Sequence, residues 1–350
     1  MSSECLKKFV ETKKTLPFFP HEPVIHVGRF PTDWEVGIEI EMEGSRLPGK
    51  VVQPISNGQI WTVHTDGSLR NGGLEYVLSA PIPKAYVTEA LEILYGTFKS
   101  NGSRLNPSNR CSTHIHINCD GLKINELTSL ICLWGVIEDV MVNWCGERRV
   151  GNLFCLRLRD ADAILEYVKD SLTSGTIMVR DEHRYSAVNF AALRKFGSLE
   201  FRSLRGLEEP TSIINWINAL LRLKEMAKTK FSDPRNIPTV FSGAGGRGFL
   251  EALFEGEPIL PELLRAAETE RLDIEQSCWE GLRKIQSLIH VHDWDVVLAE
   301  IDKVHIKDPF GHKPKKRHLN DVEQLLRQIN ANRVLENGDI PPHAEQNNNF

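Results

Sequence analysis

The chain contains one short stretch in which apolar and acidic residues alternate, Trp34-Glu35-Val36-Gly37-Ile38-Glu39-Ile40-Glu41-Met42-Glu43. Because successive side chains of a β-strand point to opposite faces, this alternation predicts an amphipathic strand. Its apolar face consists of Val36, Ile38, Ile40 and Met42, and its acidic face of Glu35, Glu39, Glu41 and Glu43. Carboxylates two residues apart lie about 6.6 Å apart along the backbone, so they repel unless solvent or a cation intervenes. The acidic face is therefore either solvated or a binding surface for a cation such as Mg²⁺.

Composition narrows the class of protein. The chain has 350 residues, of which 41% are hydrophobic and 25% charged, as in ordinary globular proteins. A net charge of −5 argues against attraction of the whole surface to nucleic acid or to an anionic membrane. Seven cysteines without a CxxC pair predict reduced thiols. The N-terminus lacks a signal-peptide pattern and no segment reads as a membrane span, so we expect a cytoplasmic protein.

Proline, glycine and charge patterns divide the chain into four predicted segments. These are an N-terminal arm at 1–30, a catalytic domain at 31–230, a helical C-terminal region at 231–335 and a polar tail at 336–350. The arm and the C-terminal helices are candidate contacts with a second copy of the chain or with an assembly partner. The basic run at 313–318 is interpreted as a solvated loop. The His290-Val291-His292 motif has no acidic strand nearby in the sequence and is interpreted as structural.

A glycine-rich segment, Gly243–Gly248, could be read as a phosphate-binding loop. The lysine and the serine or threonine of a P-loop are missing, however, so a linker or a mobile lid is the favoured interpretation.

Three further predicted strands also carry polar side chains on an apolar-backed face. Glu75 lies in the strand 74–79, while His114 and His116 share one face of the strand 109–118. In the strand 197–205, Glu200, Arg202 and Leu204 are expected on one face. Taken one at a time, such residues are most often ordinary core or surface residues, since an HxH pair alone is weak evidence for a metal site.

The strands become informative if they adjoin in one sheet. One face then carries at least four carboxylates, two imidazoles and one guanidinium. Carboxylate oxygens suit Mg²⁺, and a guanidinium suits phosphate oxygens. The sequence therefore predicts a surface for several magnesium ions and a phosphate group, with Glu200 on metal and Arg202 on phosphate.

Six motifs together resemble the amidoligase family of carboxylate–amine ligases, which has a glutamine synthetase-like fold and includes phage and bacterial members. The resemblance extends over residues 34 to 230. It is carried by Val36-Gly37-Ile38-Glu39-Ile40-Glu41, Asp66-Gly67-Ser68-Leu69, Leu74-Glu75-Tyr76-Val77-Leu78-Ser79-Ala80-Pro81, Cys111-Ser112-Thr113-His114-Ile115-His116, Arg184-Tyr185-Ser186-Ala187-Val188-Asn189 and Leu199-Glu200-Phe201-Arg202. It implies an α+β fold: a curved, mainly antiparallel sheet with helices on the outer face and a helical C-terminal region.

The resemblance also implies roles for individual residues. Magnesium ligands would be Glu39, Glu41, Glu75, His114 and Glu200. Arg202 and His116 would contact the phosphates of ATP or an acyl phosphate, with Arg184 and Arg205 as weaker candidates, and Asp66 would bind the acceptor amine. The chain departs from the family in that Ser112-Thr113 stands where members often have a glycine before the two histidines.

The expected function is that of an ATP- and Mg²⁺-dependent ligase that forms an amide bond through an acyl-phosphate intermediate. Its substrates would be a carboxylate and an amine, each an amino acid, a peptide or a protein side chain. Two alternatives remain open. One is a non-catalytic binding or structural protein that keeps the ligase fold, for example in a phage assembly. The other is a zinc-dependent hydrolase that uses His114, His116 and the carboxylates.

Overall fold

A computed structural model of the protein describes residues 35–51, 60–146, 149–152, 155–160, 162–174, 185–207 and 209–289. Several predictions fall outside these residues and stay predictions. They concern the arm at 1–30, Arg184, the motif 290–292, the basic run at 313–318 and the tail at 336–350.

The described strands form a six-stranded sheet and a small two-stranded one. They are β1 (Val36–Met42), β2 (Gly44–Ser45), β3 (Trp61–Thr65), β4 (Leu74–Leu78), β5 (Arg104–Leu105), β6 (Ser112–Asn118), β7 (Val188–Asn189) and β8 (Ser198–Arg205). The larger sheet has the order β3-β4-β1-β6-β8-β7, and all its neighbouring strands are antiparallel. β1 is therefore an inner strand, flanked by β4 and β6.

Eight helices follow or separate the strands in the described part of the chain. They are α1 (Val87–Ser100), α2 (Ile124–Trp144), α3 (Asp162–Ser174), α4 (Ala191–Phe196), α5 (Thr211–Lys228), α6 (Asn236–Phe254), α7 (Ile259–Thr269) and α8 (Ile274–Ile285). The predicted α+β class with a mainly antiparallel sheet is confirmed.

Helices cover the apolar face of the sheet. The four apolar residues of β1 are at most 1% exposed. On α2, the ring of Trp134 packs edge-on against Phe201 of β8, with centroids 4.9 Å apart. On the same face but at the opposite edge of the sheet, Trp61 Nε1 of β3 donates to the carbonyl oxygen of Ala90 on α1, 2.8 Å away. The helical layer thus leaves the acidic face of β1 on the opposite side of the sheet.

Helix α2 is the most buried element of this layer. By length and hydropathy it is the one helix in the described ranges that could cross a membrane, but 94% of its apolar window is buried inside the protein. A Cβ atom on Gly281 of α8 would lie 2.5 Å from the carbonyl oxygen of Gly135 on α2, so glycine is needed for these two helices to approach this closely. Burial along nearly its whole length agrees with the apolar composition of α2, although Glu138 and Asp139 are buried on the same helix.

The glycine-rich segment 243–248 is helical, so the predicted linker or lid is wrong. It lies within α6, which is kinked at Gly245, where φ is +69° and ψ is 179°. At the kink, the carboxylate of Glu275 on α8 accepts hydrogen bonds from the backbone N–H groups of Gly246 and Arg247. A carboxylate at this position caps the N-terminus of the second half of the helix. The cap comes from a residue about 30 positions away, which local sequence patterns do not reveal.

Glu138 is a carboxyl group buried beneath the sheet on α2. Its Oε1 accepts from Trp134 Nε1 at 2.9 Å, and its Oε2 accepts from the backbone N–H of Leu158 at 2.7 Å. Burial raises the pKa of Glu138 to about 7, although both hydrogen bonds and nearby Arg157 act in the opposite direction. The carboxyl thus joins α2 to the segment 155–160 at an electrostatic cost when it ionises.

We expect Glu138 to make stability fall between about pH 5 and pH 7. In the unfolded chain a glutamate ionises near pH 4.3, whereas in the folded protein Glu138 ionises near pH 7. The folded state therefore holds the extra proton, and its contribution is lost as the pH rises, by at most about 1.4 kcal/mol per pH unit. Urea unfolding at pH 5 and pH 7.5 measures this loss.

The matched variant is Glu138→Gln, which cannot ionise. It should be less stable than the wild type at both pH values, because an amide nitrogen replaces one acceptor oxygen. It should nevertheless lose less stability between them. Equal losses in the two proteins would show that Glu138 is not the source of the pH dependence.

Candidate functional site

The strand register brings the predicted polar residues onto one face of the sheet. Glu39 lies opposite His114, Glu41 lies opposite Glu75, and β6 and β8 pair in the same way. Directly opposed residues of antiparallel strands share a face. From here on, the name acidic face, used above for β1 alone, denotes this whole surface. It comprises Glu39, Glu41, Glu75, His114, His116, Glu200 and Arg202.

Gly37 makes room for one of the imidazoles. It lies opposite His116, and a Cβ atom on Gly37 would be 3.1 Å from the Cβ of His116. That distance is shorter than most real Cβ contacts, so a larger residue would push the His116 ring away. Glycine at position 37 therefore allows the His116 side chain to pack across β1.

Ser112 connects two of the predicted metal ligands. Its backbone N–H and its Oγ both donate to Glu41 Oε2, at 2.8 and 2.6 Å, and its Oγ lies 2.7 Å from His114 Nε2. With Glu41 ionised, the single hydroxyl proton is used on the carboxylate, so Ser112 accepts from Nε2–H of His114. The other nitrogen, Nδ1, lies 3.2 Å from Glu39 Oε2, so it donates to Glu39 when it carries a proton and can bind a cation when it does not.

Glu39 lies between the two imidazoles. Its carboxylate oxygens are 3.2 Å from His114 Nδ1 and 3.3 Å from His116 Nε2. Burial alone would raise the pKa of Glu39, but hydrogen bonds and charge from the two histidines outweigh it and hold this pKa well below the usual value. The pKa of His116 is raised in return, since contact with Glu39 and the charge of Glu200 outweigh the effect of its burial.

Glu200 is held by neighbours on both sides. Its Oε2 accepts from Asn189 Nδ2 of β7 at 2.7 Å, and its Oε1 accepts from an Nη atom of Arg202. Although burial opposes ionisation, the positive charges of Arg202 and His116 lower the pKa of Glu200. Glu200 is thus an ionised carboxylate in a site where only 5% of its surface is exposed.

The pKa of Glu75 is shifted in the opposite direction to those of Glu39 and Glu200. Burial, and then repulsion from Glu39, Glu41 and Asp66, raises its pKa to about 8. Arg202 offsets only part of that repulsion. At neutral pH, Glu75 is therefore mostly protonated, and a cation bound among these carboxylates would favour its ionised form.

The carboxylates and imidazoles form three groups that can each hold a cation. In each group one ligand atom per residue lies within 4.8 Å of the others: Glu39, Glu75 and His114; Glu39, His116 and Glu200; and Glu41, Asp66 and Glu75. The third group offers only oxygen, the ligand that Mg²⁺ prefers, while the first two add one imidazole nitrogen. The donor set and the raised pKa of Glu75 both fit a divalent cation.

Arg202 has an unused donor. Its Nε is buried and has no hydrogen-bond partner among the described residues, while one Nη donates to Glu200 and lies 3.5 Å from His114 Nδ1. Buried polar groups are rarely left unsatisfied, so a free N–H here suits an anionic ligand such as phosphate.

The other predicted site residues occupy different positions. Arg205 lies opposite Ser112 at the exposed end of β8, where it donates to the carbonyl of Cys145 at 2.9 Å, so it is at the rim of the acidic face. Asp66 accepts from Ser68 N at 2.6 Å in a turn and lies near Glu75 in the all-oxygen group. Arg184 lies outside the described residues.

Two predictions about neighbouring residues are wrong. Leu204 was expected on the polar face but is fully buried, because a bulge in β8 shifts the alternation after Arg202. The acids of the alternating stretch were expected to be solvated or to bind a cation, but Glu43 is only 5% exposed and its Oε1 accepts from Arg70 N at 2.7 Å. Glu35 is only partly exposed and lies 3.6 Å from Lys224 Nζ.

Three polar residues of the site were not identified from the sequence. Ser112 and Asn189 hold Glu41 and Glu200, and the Oγ of Ser198 lies 3.1 Å from His116 Nδ1. Ser112 and Asn189 stand within motifs of the family resemblance, so their position was visible. Their function depends on which strand lies beside them, and only the register shows it.

The chain matches no protein-family model, and no curated protein is significantly similar to it.

We expect Mg²⁺ to displace a proton from Glu75. Because the cation binds the ionised carboxylate and the pKa is about 8, affinity should rise with pH by about tenfold per unit below pH 7.5 and level off above pH 8. Calorimetric titration of Mg²⁺ in two buffers of different protonation enthalpy measures both affinity and proton release.

Glu75→Gln should bind Mg²⁺ more weakly and release no proton. Glu92→Gln, which changes an exposed carboxylate on α1, is the matched control and should behave as the wild type. A wild-type affinity that does not change between pH 6.5 and 8 would contradict the prediction.

We also expect Ser112→Ala to weaken Mg²⁺ binding by about 10- to 100-fold. Loss of a residue that hydrogen-bonds to a metal ligand typically lowers metal affinity by this factor, and Ser112 contacts both Glu41 and His114. The control is Ser129→Ala, which removes another buried serine hydroxyl, on α2 beneath the sheet. Equal affinities in the two variants would contradict the prediction that Ser112 orients metal ligands.

Proposed function

We propose that this protein is an ATP- and Mg²⁺-dependent carboxylate–amine ligase that forms an amide bond. The observation that carries the proposal is the acidic face itself. There, carboxylates whose pKa values are shifted in opposite directions surround two imidazoles, beside an arginine whose buried Nε has no partner in the described part of the chain. Phosphoryl transfer from a nucleotide requires ligands for a cation next to a side chain that donates hydrogen bonds to phosphate.

The metal-binding part of the proposal rests on the three cation groups. The residues that would hold Mg²⁺ are Glu39, Glu41, Glu75, His114 and Glu200. Bound Mg²⁺ supplies positive charge that neutralises phosphate oxygens during transfer. Protein groups prepare this arrangement in advance, because Ser112 and Asn189 hold Glu41 and Glu200 in place by hydrogen bonds.

Arg202 is the proposed contact for the transferred phosphoryl group. A planar guanidinium can donate to phosphate from Nε while an Nη keeps its bond to Glu200. His116, whose Nδ1 lies 3.1 Å from Ser198 Oγ, is the second proposed contact. Its raised pKa favours the protonated ring, whose positive charge attracts an anion. Arg205 at the rim is suited to an outer phosphate.

Asp66 is the proposed binder of the acceptor amine. It stands beside Glu41 and Glu75, where a cluster of carboxylates attracts an ammonium group as well as a metal ion. An amine held there would lie next to the proposed phosphoryl site. A neighbouring carboxylate such as Asp66 would take one proton from the ammonium group, and the neutral amine would attack the carbonyl carbon of an acyl phosphate formed from ATP. The C–N bond forms, the C–O bond to phosphate breaks, and phosphate leaves with the second proton of the amine.

The family resemblance supports the same reaction. The α+β class and the antiparallel sheet agree with what the resemblance implies, and we propose the glutamine synthetase-like ligase fold as the finer description. The chemistry requires positioning and charge rather than a covalent nucleophile. The six described cysteines agree with this, since all are buried and burial raises the pKa of those that bear a resolved shift.

The proposal predicts Mg²⁺-dependent nucleotide binding. Calorimetric titration with a non-hydrolysable ATP analogue should show binding with Mg²⁺ and little without it. Arg202→Lys should weaken binding at least tenfold, because an ammonium group cannot bond Glu200 and phosphate in the same fork geometry. Arg265→Lys, an exposed arginine on α7, is the control and should bind as the wild type.

Activity is tested by ADP release from ATP in the presence of panels of amino acids, peptides and amines. Glu41→Gln and Glu200→Gln should abolish the release that a productive acid and amine pair causes. Absence of any affinity for the analogue would favour a non-catalytic protein of the same fold. Hydrolysis that requires Zn²⁺ but not ATP would favour a hydrolase.

A further inference from the structure

The strand that carries Arg202 is irregular beside the acidic face. The β6–β8 register shifts between Thr113 and Ile115, so two residues of β8, Arg202 and Ser203, lie opposite the single residue His114. Such a β-bulge leaves backbone groups without ladder partners and bends the strand. Ser203 is fully buried, so its backbone groups need hydrogen-bond partners within the protein rather than in bulk water.

Arg149 supplies the missing donors from outside the sheet. Its Nε donates to the carbonyl oxygen of Ser203 at 2.8 Å, and its Nη2 donates to the carbonyl oxygen of Arg202 at 2.6 Å. Only 3% of Arg149 is exposed. A guanidinium is costly to bury unless its donors are used, and here one side chain bonds two consecutive carbonyls of the bulge.

The bulge decides which side chains reach the acidic face. It leaves Arg202 beside Glu200, puts Leu204 into the core and returns Arg205 to the face, opposite Ser112. Without the extra residue the alternation would place Leu204 on the acidic face and Arg205 on the apolar one. The geometry of the phosphate contact thus depends on keeping the bulge.

We infer that Arg149 is a positioning residue, which holds the bulge of β8 and thereby sets the guanidinium of Arg202 on the acidic face. The backbone N–H of Arg202 also has a partner, since it donates to the carbonyl oxygen of Ala187 at 2.9 Å, so both polar backbone groups of Arg202 are hydrogen-bonded. The functional part of this inference rests on the proposed role of Arg202 in nucleotide binding. The structural part, that Arg149 holds the bulge, does not.

A double-mutant cycle separates action through Arg202 from a general effect on the fold. Titration of the ATP analogue with Mg²⁺ should show Arg149→Met binding about tenfold more weakly than the wild type, and Arg149→Lys in between, because lysine can reach only one carbonyl. In an Arg202→Met background, Arg149→Met should cause no further loss. The control is Arg222→Met, which removes another arginine-to-carbonyl bond, on α5, and should leave affinity unchanged.

Hydrogen exchange provides a readout that needs no nucleotide. Backbone amides of residues 201–205 should exchange faster in Arg149→Met than in Arg222→Met, while amides of α2 exchange equally in both. Unchanged exchange at 201–205, or an equal loss of affinity with and without Arg202, would overturn the inference. If the wild type does not bind the nucleotide, the proposed function fails, and the exchange result alone decides whether Arg149 holds the bulge.

Discussion

The structure depends on the register of β1 between β4 and β6. Ile38 pairs with Ile115 on the apolar side, and Glu39 pairs with His114 on the other. Since side chains alternate strictly, a slip by one residue would exchange the two faces and place carboxylates under α2. Burial of four apolar side chains is worth roughly 1.5–3 kcal/mol each. A carboxylate pair repels by about 4 kcal/mol at 4 Å near a protein surface. Core packing therefore outweighs the repulsion and forces the acids together.

That concentration of charge explains the contrasting behaviour of the carboxyl groups. Glu39 and Glu200 have positive neighbours, which lower the pKa of each. Glu75 lies on the side where carboxylates outnumber positive groups, and its pKa is raised to about 8. Paired titratable groups with pKa values pushed in opposite directions are typical of functional sites. The same imbalance is relieved by a cation, which is why cation binding and phosphate contact are proposed together.

Polar groups outside the alternating pattern hold this site in shape. Ser112 bonds Glu41, Asn189 bonds Glu200, and Arg149 bonds the bulge that carries Arg202. Each of them is buried, and the sequence separations to the partners are 71 residues for Ser112, 11 for Asn189 and 54 for Arg149 with Ser203. Supporting contacts of this kind determine how accurately a site is positioned. They are also invisible to periodicity, which reports only which side of an element a residue occupies.

The sequence by itself determined the elements and their faces. The two-residue alternation identified the acidic strand, and the polar faces of β4, β6 and β8, with their carboxylates and imidazoles, could be read in the same way. Helices such as α2 and α5 were predictable from three- and four-residue spacing. Tertiary structure decided the rest, because the outcome depended on partners distant in sequence. Examples are the buried position of Glu43 against Arg70 N, the helical state of the glycine-rich segment capped by Glu275, and the bulge that turns Leu204 into the core. Local patterns record a residue's own preference, whereas hydrogen-bond partners and register are properties of the packed chain.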